Sequence, residues 1–307
     1  MTVIHNVKYK NIEATEIAND FLTITVLPSA GGKIQCIRFA GKEYLIQNPG
    51  DVFIPSEYDS SFEEGDFSGF DDMFPTITAC DYPGGVWDGV KLPDHGEVWT
   101  LPFDAEAGGE SLLLSVYGVR LPYKFSKRIS LDGRSIVIDY RAKNLSPFPM
   151  KYIWAAHPLF ILEDGTKLFL PYAESIMNAH GGCKYLGDFG EMHKWPVSND
   201  GRDMGLLSTK EQCCNKYYVW NMFECNISII EYPDGTKVTL SCDAKKVPYL
   251  GMWVDEMGYG DKTKACVAPE PCTGAFDSVA LAETFGKIAV LPPNSAMSWQ
   301  LHIEFDQ

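Results

Sequence analysis

Apolar and polar residues alternate with a period of two along several segments of the chain. In "FLTITVLP" (21–28), three aliphatic side chains alternate with two threonines, the pattern of a strand with one buried face. The same β-like character appears at 31–39, 111–119, 215–223 and 297–305. The pattern therefore favours β-structure from one end of the chain to the other.

Asp-Gly dipeptides interrupt three of the β-rich segments, at 132–133, 164–165 and 234–235. Asp-Gly is favoured in short turns that need positive φ, so each dipeptide predicts a β-hairpin. Helical patterns are few, and 278–286 is at best a short helix. No linker, charge block or fixed repeat divides the sequence. We expect a single domain, 1–307, that is all-β: a large antiparallel β-sandwich with few short helices.

The longest loop-like segment is 48–69, and the acidic stretch 61–72 overlaps its end. We expect this stretch to form a long excursion over one face of the sandwich. Functional residues tend to lie on such loops, because a rigid scaffold positions them.

Composition and charge narrow the choice of ligand. Of the 307 residues, 45% are apolar, which is ample for a packed core, and the formal net charge is −15. An acidic chain argues against nucleic acid, which requires a basic face, and against an anionic membrane surface. A neutral small molecule is the easier fit.

The nine cysteines have no regular spacing and form no CxxC pair, so neither a zinc ribbon nor a redox dithiol is indicated. The first twenty residues lack the apolar core of a signal peptide, and no apolar run approaches the ~20 residues that span a bilayer. We expect a cytoplasmic protein with reduced thiols.

Polar side chains are concentrated among aromatic residues in four parts of the chain: 69–77, 92–99, 154–160 and 251–277. In the last of these, Glu270 stands between two prolines, which restrict the backbone and present the carboxylate from a stiff platform. His157 lies within the apolar run "WAAHPLF". A positioned carboxylate and a histidine are a pair used in general acid–base catalysis.

Each candidate also has a structural interpretation. His157 could be a core histidine bonded to the backbone, Glu270 an exposed loop acid and His95 a turn residue. The tryptophans at 99, 154 and 253 could be core residues, and Asp71 and Asp72 could cap a turn. Taken singly, these residues leave both interpretations open.

Other kinds of site are less well supported. The sequence contains no GxGxxG, no P-loop and no GxSxG motif. His95, Glu97 and His157 could be assembled into a metal site, but HxE alone is weak and HExxH is absent. These motifs therefore support neither a metal nor a nucleotide cofactor.

Taken in order, the motifs resemble the galactose mutarotase-like (aldose 1-epimerase) superfamily. The similarity begins with "LPSAGGKIQCIRFAGKEYL" (27–45) and continues with His95-Gly96 followed by Trp99. It then includes His157-Pro158 with Phe160, and Glu270-Pro271, and ends at "LPPNSAMSWQLHIEF" (291–305). The individual motifs are short, but their order spans nearly the whole chain.

The resemblance implies a large antiparallel β-sandwich with a sugar cleft and a mechanism without a cofactor. It implies that Glu270 is the general base on the anomeric hydroxyl and that His157 protonates the ring oxygen. His95 would hydrogen-bond the sugar, and Trp253 would stack on its apolar face. An ordinary histidine pKa near ~6.5 would let His157 donate a proton near neutral pH.

The sequence also departs from the family pattern. Where many members carry a substrate-binding arginine, "GFDDMFP" presents Asp71 and Asp72. Carboxylates repel phosphate but accept hydrogen bonds from sugar hydroxyls, so we expect Asp72 to bind an unphosphorylated sugar. The family's substrate-binding aspartate between the HP and EP motifs has no secure match here.

Three functions are compatible with these observations. The first is an aldose 1-epimerase that interconverts the anomers of an unphosphorylated aldose. The second is a non-catalytic carbohydrate-binding protein on the same fold. The third is a related isomerase that would form a new sugar rather than a new anomer ratio. We rank them in this order, because all three polar residues of the acid–base machinery are present.

Overall fold

Antiparallel β-strands account for most of the regular structure of the chain. The computed structural model describes residues 1–181, 184–220, 225–260 and 263–307. Within these ranges there are twenty-five strands, one α-helix and two short 3₁₀ turns, Phe62–Glu64 and Gly85–Trp87.

The first thirteen strands are β1 (Val3–Tyr9), β2 (Ile12–Ala18), β3 (Leu22–Leu27), β4 (Lys33–Phe39), β5 (Lys42–Glu43), β6 (Phe70–Met73), β7 (Cys80–Asp81), β8 (Lys91–Leu92), β9 (Asp104–Gly108), β10 (Ser111–Tyr117), β11 (Tyr123–Asp132), β12 (Ser135–Asn144) and β13 (Met150–Tyr152). The remaining strands are β14 (Ala155–Pro158), β15 (Phe160–Ile161), β16 (Lys167–Phe169), β17 (Ser175–Asn178), β18 (Met192–Lys194), β19 (Cys213–Val219), β20 (Asn226–Glu231), β21 (Lys237–Cys242), β22 (Tyr249–Glu256), β23 (Cys266–Cys272), β24 (Ala289–Leu291) and β25 (Ala296–Asp306). The helix, α1, is Val279–Thr284.

Two large sheets contain most of these strands. The first has thirteen strands in the described residues, in the order β1-β2-β3-β4-β6-β14-β23-β22-β19-β17-β18, with β5 beside β4 and β15 beside β23. The second has eight, in the order β16-β20-β21-β25-β12-β11-β10-β9. The pairs β13-β24 and β7-β8 form two small sheets.

The main core lies between the two large sheets. In β11, β12 and β25 of the smaller sheet, buried and exposed positions alternate, so these strands have one buried face. Their aromatic side chains meet those of the larger sheet: Trp299 packs on Trp154 with ring centroids 5.1 Å apart, and Phe125 on Phe74 at 5.2 Å. This face-to-face packing is the expected all-β sandwich.

A second apolar cluster covers the other face of the larger sheet. It contains Phe62 and Trp99 from loops, together with Leu159 and Ala268 from the sheet. Phe160, next to Leu159 in the chain, belongs instead to the main core, as the alternation of a strand requires. Because both faces are covered, β6, β14 and β23 are buried along their whole length.

Two of the three predicted Asp-Gly hairpins are confirmed. β11 pairs with β12 across Asp132-Gly133, and β20 pairs with β21 across Asp234-Gly235. The hairpin predicted at Asp164-Gly165 is wrong, because β15 pairs with β23 of the larger sheet and β16 with β20 of the smaller one. This turn carries the chain from one sheet to the other.

The predicted short helix is confirmed, and the predicted loop excursion is confirmed in part. α1 lies within 278–286, and Ser278 caps it by accepting a hydrogen bond from the Leu281 N–H at 3.1 Å. The stretch 61–72 begins as a loop over one face but ends inside β6. The described part of the chain contains no helix with the length and apolar character needed to span a bilayer.

Candidate active site

His157 and Glu270 lie opposite each other in the larger sheet. Ala155 of β14 pairs with Cys272 of β23, and further along Phe160 pairs with Val267. This register places His157 directly across from Glu270. Side chains of directly opposed residues point to the same face of a sheet, so both reach the face covered by loops.

His95 reaches the same place from a loop between β8 and β9. Its backbone has a φ of 57°, and Gly96 follows with a φ of 72°. A Cβ at position 96 would lie 2.2 Å from the carbonyl oxygen of Phe74, so only glycine fits there. The His-Gly motif is therefore a tight backbone feature that directs one imidazole toward the sheet.

Three rings from different parts of the chain meet above the sheet. The ring centroids of His95 and His157 are 5.3 Å apart. Phe62 stacks on His95 at 4.1 Å and meets His157 edge-on at 5.1 Å. Trp99 packs against this group, with its ring centroid 5.2 Å from that of Phe62. Its indole N–H donates to the carbonyl oxygen of Asp94 at 2.9 Å, which fixes the ring.

These residues line a cleft of about 250 Å³. The described lining residues are Ser61, Phe62, Glu63, Phe67, Met73, Ile77, Thr78, Asp94, His95, His157, His180, Lys216, Trp253, Tyr259, Glu270 and Asp277. Two buried polar atoms of this lining, His157 Nδ1 and Trp253 Nε1, have no hydrogen-bond partner in the described structure. Such atoms are costly to bury unpaired, but both have almost no accessible surface, so as they stand they offer no hydrogen bond to a ligand in the cleft.

Four of the five sequence-predicted site residues meet in this cleft: His95, His157, Trp253 and Glu270. Trp253 is partly exposed there, whereas Trp99 and Trp154 are buried. His157 is not the backbone-bonded core histidine of the structural alternative, and Glu270 is not an exposed loop acid, because only 1% of its surface is exposed.

The fifth predicted site residue, Asp72, lies outside the cleft, and its assignment as a sugar ligand is corrected here. Its carboxylate accepts hydrogen bonds from Lys127 at 2.7 Å and from the indole N–H of Trp154 at 3.0 Å. It lies in the core and does not line the cleft. The neighbouring Asp71 is also buried, 3.1 Å from the ammonium of Lys33. The two acids of "GFDDMFP" therefore form internal ion pairs and are not placed to bind a sugar.

Glu270 has a buried partner that the sequence does not reveal. Lys216 donates a hydrogen bond to Glu270 Oε2, and its ammonium also lies 3.6 Å from Asp277 Oδ1. Burial raises the pKa of Glu270, and the charge of Lys216 opposes that increase. Burial lowers the pKa of Lys216, but Asp277 and Glu270 more than offset this, so its net pKa is raised.

The environment of His157 differs from the sequence-based expectation of an ordinary pKa. Burial lowers the pKa of His157 well below 6.5, and electrostatic interactions with His95, Lys216 and Lys33 lower it further. The imidazole is therefore neutral at neutral pH.

The metal site considered from His95, Glu97 and His157 does not form. Glu97 is fully buried away from the cleft and accepts hydrogen bonds from the hydroxyl groups of Tyr58 at 2.6 Å and Tyr123 at 2.9 Å. Within the described ranges, no group of three or more His, Cys, Asp or Glu side chains has the arrangement needed to hold a metal ion.

Sequence reasoning missed Lys216, Asp277 and Phe62. Lys216 was visible as a lysine inside the aromatic strand segment "NKYYVW", where a charge must find a partner. Asp277 ends the polar segment that contains Glu270. Nothing local marks Phe62, because its role depends on the way the loop 48–69 folds over the sheet.

Comparisons with known proteins give a match at the level of structure alone. No protein-family model matches the chain, and a search of curated proteins finds no significant match. Among solved structures, the Slr1438 protein from Synechocystis sp. PCC 6803 is similar with a TM-score of 0.74 and 16% identity, over 98% of this chain and 99% of that one.

Two similar structures are described as galactose mutarotase-like proteins. The one from Clostridium acetobutylicum has a TM-score of 0.70 and 14% identity, over 100% of this chain and 99% of that one. The one from Lactobacillus casei ATCC 334 has a TM-score of 0.67 and 14% identity, over 99% and 100% of the two chains. At such identities the similarity concerns the fold. The chain has the galactose mutarotase-like fold, as the order of its sequence motifs predicts.

Proposed function

We propose that this protein is an aldose 1-epimerase, which interconverts the α and β anomers of an unphosphorylated sugar. The observation that carries the proposal is the convergence of Glu270, His157 and His95 on one cleft. A carboxylate and an imidazole that stand opposite each other in a ladder can act on two oxygens of one sugar ring.

In this mechanism, Glu270 removes the proton of the anomeric hydroxyl while the bond between C1 and the ring oxygen breaks. The ring oxygen takes a proton from the imidazolium form of His157. Glu270 thus gains one proton and His157 loses one, which leaves an open-chain aldehyde. The aldehyde rotates about C1–C2, and the reverse proton transfers close the ring on its other face.

The remaining lining residues have supporting roles in this proposal. His95 hydrogen-bonds the sugar, and Asp94 orients it by accepting a hydrogen bond from its Nδ1 at 3.1 Å. Trp253 offers a partly exposed indole to the apolar side of the ring. No step calls for a metal or another cofactor, since both proton transfers use side chains of this chain.

The charge of the cleft favours an unphosphorylated substrate. Lys216 is the only Lys or Arg among the described lining residues, and Glu270 and Asp277 already compensate its charge. Two further acids, Glu63 and Asp94, also line the cleft. A phosphate would meet net negative charge, whereas neutral hydroxyls can donate hydrogen bonds to carboxylates.

Polarimetry and NMR exchange spectroscopy on α-glucose, α-galactose and other aldoses test the proposal. We expect anomer exchange above the uncatalysed rate on at least one aldose, and loss of at least about 10²-fold of that acceleration in Glu270→Gln. Thermal unfolding checks that the variant remains folded. Equal exchange rates for Glu270→Gln and the unmodified protein on the best substrate would refute the assignment.

The alternative, a carbohydrate-binding protein without turnover, has one observation in its favour. An oxygen of Glu270 is already engaged by Lys216, and this reduces the basicity of the carboxylate. Isothermal titration calorimetry separates the two functions. Sugar binding without catalysed exchange on any bound aldose would support the alternative.

A further inference from the structure

Lys216 reaches Glu270 across an intervening strand. The two residues belong to β19 and β23, and β22 lies between these strands in the sheet. At the crossing, β22 carries Gly251, which pairs with Tyr218 on one side and Glu270 on the other. A Cβ at 251 would lie 3.3 Å from Glu270 Oε2 and 3.3 Å from the Tyr218 ring. The missing side chain leaves room for the contact.

The ammonium of Lys216 interacts with two carboxylates, those of Glu270 and Asp277, which differ in their exposure to solvent. Glu270 is almost wholly buried, whereas Asp277 is partly exposed at the cleft. Asp277 Oδ1 also accepts a hydrogen bond from the Tyr218 hydroxyl at 2.7 Å. Because Lys216 is buried itself, the long-range screening by water that weakens surface pairs is small here.

We propose that Lys216 is the positioning residue of the base: it keeps the Glu270 carboxylate ionised and directed into the cleft, and Asp277 limits this effect by sharing the ammonium. The inference rests on the proposed mutarotase activity, in which Glu270 must be charged before the sugar binds. It assigns roles to two residues outside the acid–base machinery named above.

The groups around Glu270 act on its ionisation with opposite signs. Burial raises its pKa, Lys216 lowers it, and Asp277 raises it. Among the described residues, the titratable and charged groups around it are His95, His157, Lys216, Tyr218, Cys266, Cys272 and Asp277. Removing Lys216 and removing the charge of Asp277 should therefore move the ionisation of Glu270 in opposite directions.

The test is the pH dependence of kcat/KM for anomer exchange in two variants. Lys216→Met keeps an unbranched chain without the charge. In this variant we expect the acid limb of the profile, where kcat/KM rises as Glu270 ionises, to move to higher pH by about 1–3 pH units. The alkaline limb should also rise, because Lys216 lowers the pKa of His157. In Asp277→Asn the acid limb should move to lower pH, and the Asn oxygen can still accept from Tyr218.

Lys127→Met is the matched control. Lys127 is equally buried and is paired with Asp72, but it lies in the core outside the described lining of the cleft. We expect this variant to lose stability without a displaced pH profile. Lys216→Arg should restore part of the wild-type profile, because it returns a positive charge.

An acid limb at the wild-type position in Lys216→Met, with only stability or overall rate reduced, would overturn the inference. If Lys216→Met does not fold, Asp277→Asn decides alone: no displacement, or displacement to higher pH, overturns the inference. Failure of the proposed function can be distinguished from failure of this inference, because it would appear as no catalysed anomer exchange by the wild type. In that case, ¹³C NMR titration of the Glu270 carboxyl carbon, assigned with Glu270→Gln, would still test the ionisation of Glu270 in each variant.

Discussion

The phenyl ring of Phe62 stacks on the imidazole of His95, with centroids 4.1 Å apart and an interplanar angle of 8°. Phe62 comes from the loop 48–69, whereas His157 and Glu270 come from the sheet. The orientation of His95 therefore depends on a loop contact, and the cleft is complete only when this loop is in place.

Replacing Phe62 with alanine should lower the proposed activity of the protein that remains folded, in addition to the stability lost because Phe62 is buried. Aromatic pairs contribute about 0.5–1.5 kcal/mol beyond their buried area, so we expect kcat/KM for anomer exchange to fall about tenfold. Phe169→Ala, at an exposed position of β16, is the control and should leave kcat/KM unchanged. Equal effects of the two replacements would show that the stack does not orient His95.

The rate of anomer exchange should depend on pH with a maximum on the acid side of neutrality. Glu270 must be ionised, and burial raises its pKa above 4.5 against the opposing charge of Lys216, so activity should fall as the pH drops through this raised pKa. His157 must be protonated, and burial lowers its pKa well below 6.5, so activity also falls as the pH rises. Background-corrected kcat/KM from about pH 4 to about pH 9 checks this bell shape. A plateau that extends above neutrality would contradict it.

Gly96→Ala should destabilise the protein strongly. The new Cβ would lie 2.2 Å from the Phe74 carbonyl oxygen, at a φ of 72°. We expect a loss of at least about 2 kcal/mol in the free energy of unfolding, measured with urea. Gly133→Ala is matched, because its φ of 57° is also positive but its Cβ would meet nothing within 4 Å. It should cost only about 1 kcal/mol, from the left-handed backbone itself.

Asp72→Asn should affect stability and leave sugar binding by the folded protein intact. The replacement leaves the buried ammonium of Lys127 without its counter-charge, which typically costs about 3–5 kcal/mol. Glu13→Gln is the control, because the Lys8–Glu13 pair is largely exposed and should contribute about 0–1 kcal/mol. Denaturant unfolding measures both variants. A large loss of sugar affinity in folded Asp72→Asn would restore Asp72 as a ligand.

Much of the fold could be predicted from the sequence, because the relevant signals are local. Two Asp-Gly hairpins and the short helix follow from turn chemistry and capping within a few residues. The turn at Asp164-Gly165 has the same local chemistry, yet its flanking strands enter different sheets. The choice between a hairpin and a crossover depends on distant partner strands, which no window of sequence contains.

The site shows the same division between local and distant information. The order of the motifs and the stiff backbone around Glu270 pointed to the residues that meet in the cleft. The burial of Asp72 in the core could not be predicted, because it depends on hydrogen bonds with Lys127 and Trp154, which lie 55 and 82 positions further along the chain. The lowered pKa of His157 likewise depends on the depth of its burial and on electrostatic interactions with residues from three other segments.

Because Gly251 leaves room for the ion pair between Lys216 and Glu270, this pair depends on the register of β22 against its neighbouring strands. If β22 slipped by one residue against its neighbours, Leu250 or Met252 would occupy the gap, and a bulky side chain would stand between the two charges. A buried acid and a buried lysine would then each lose a counter-ion. The charged pair at the floor of the cleft therefore disfavours misaligned pairing of these three central strands.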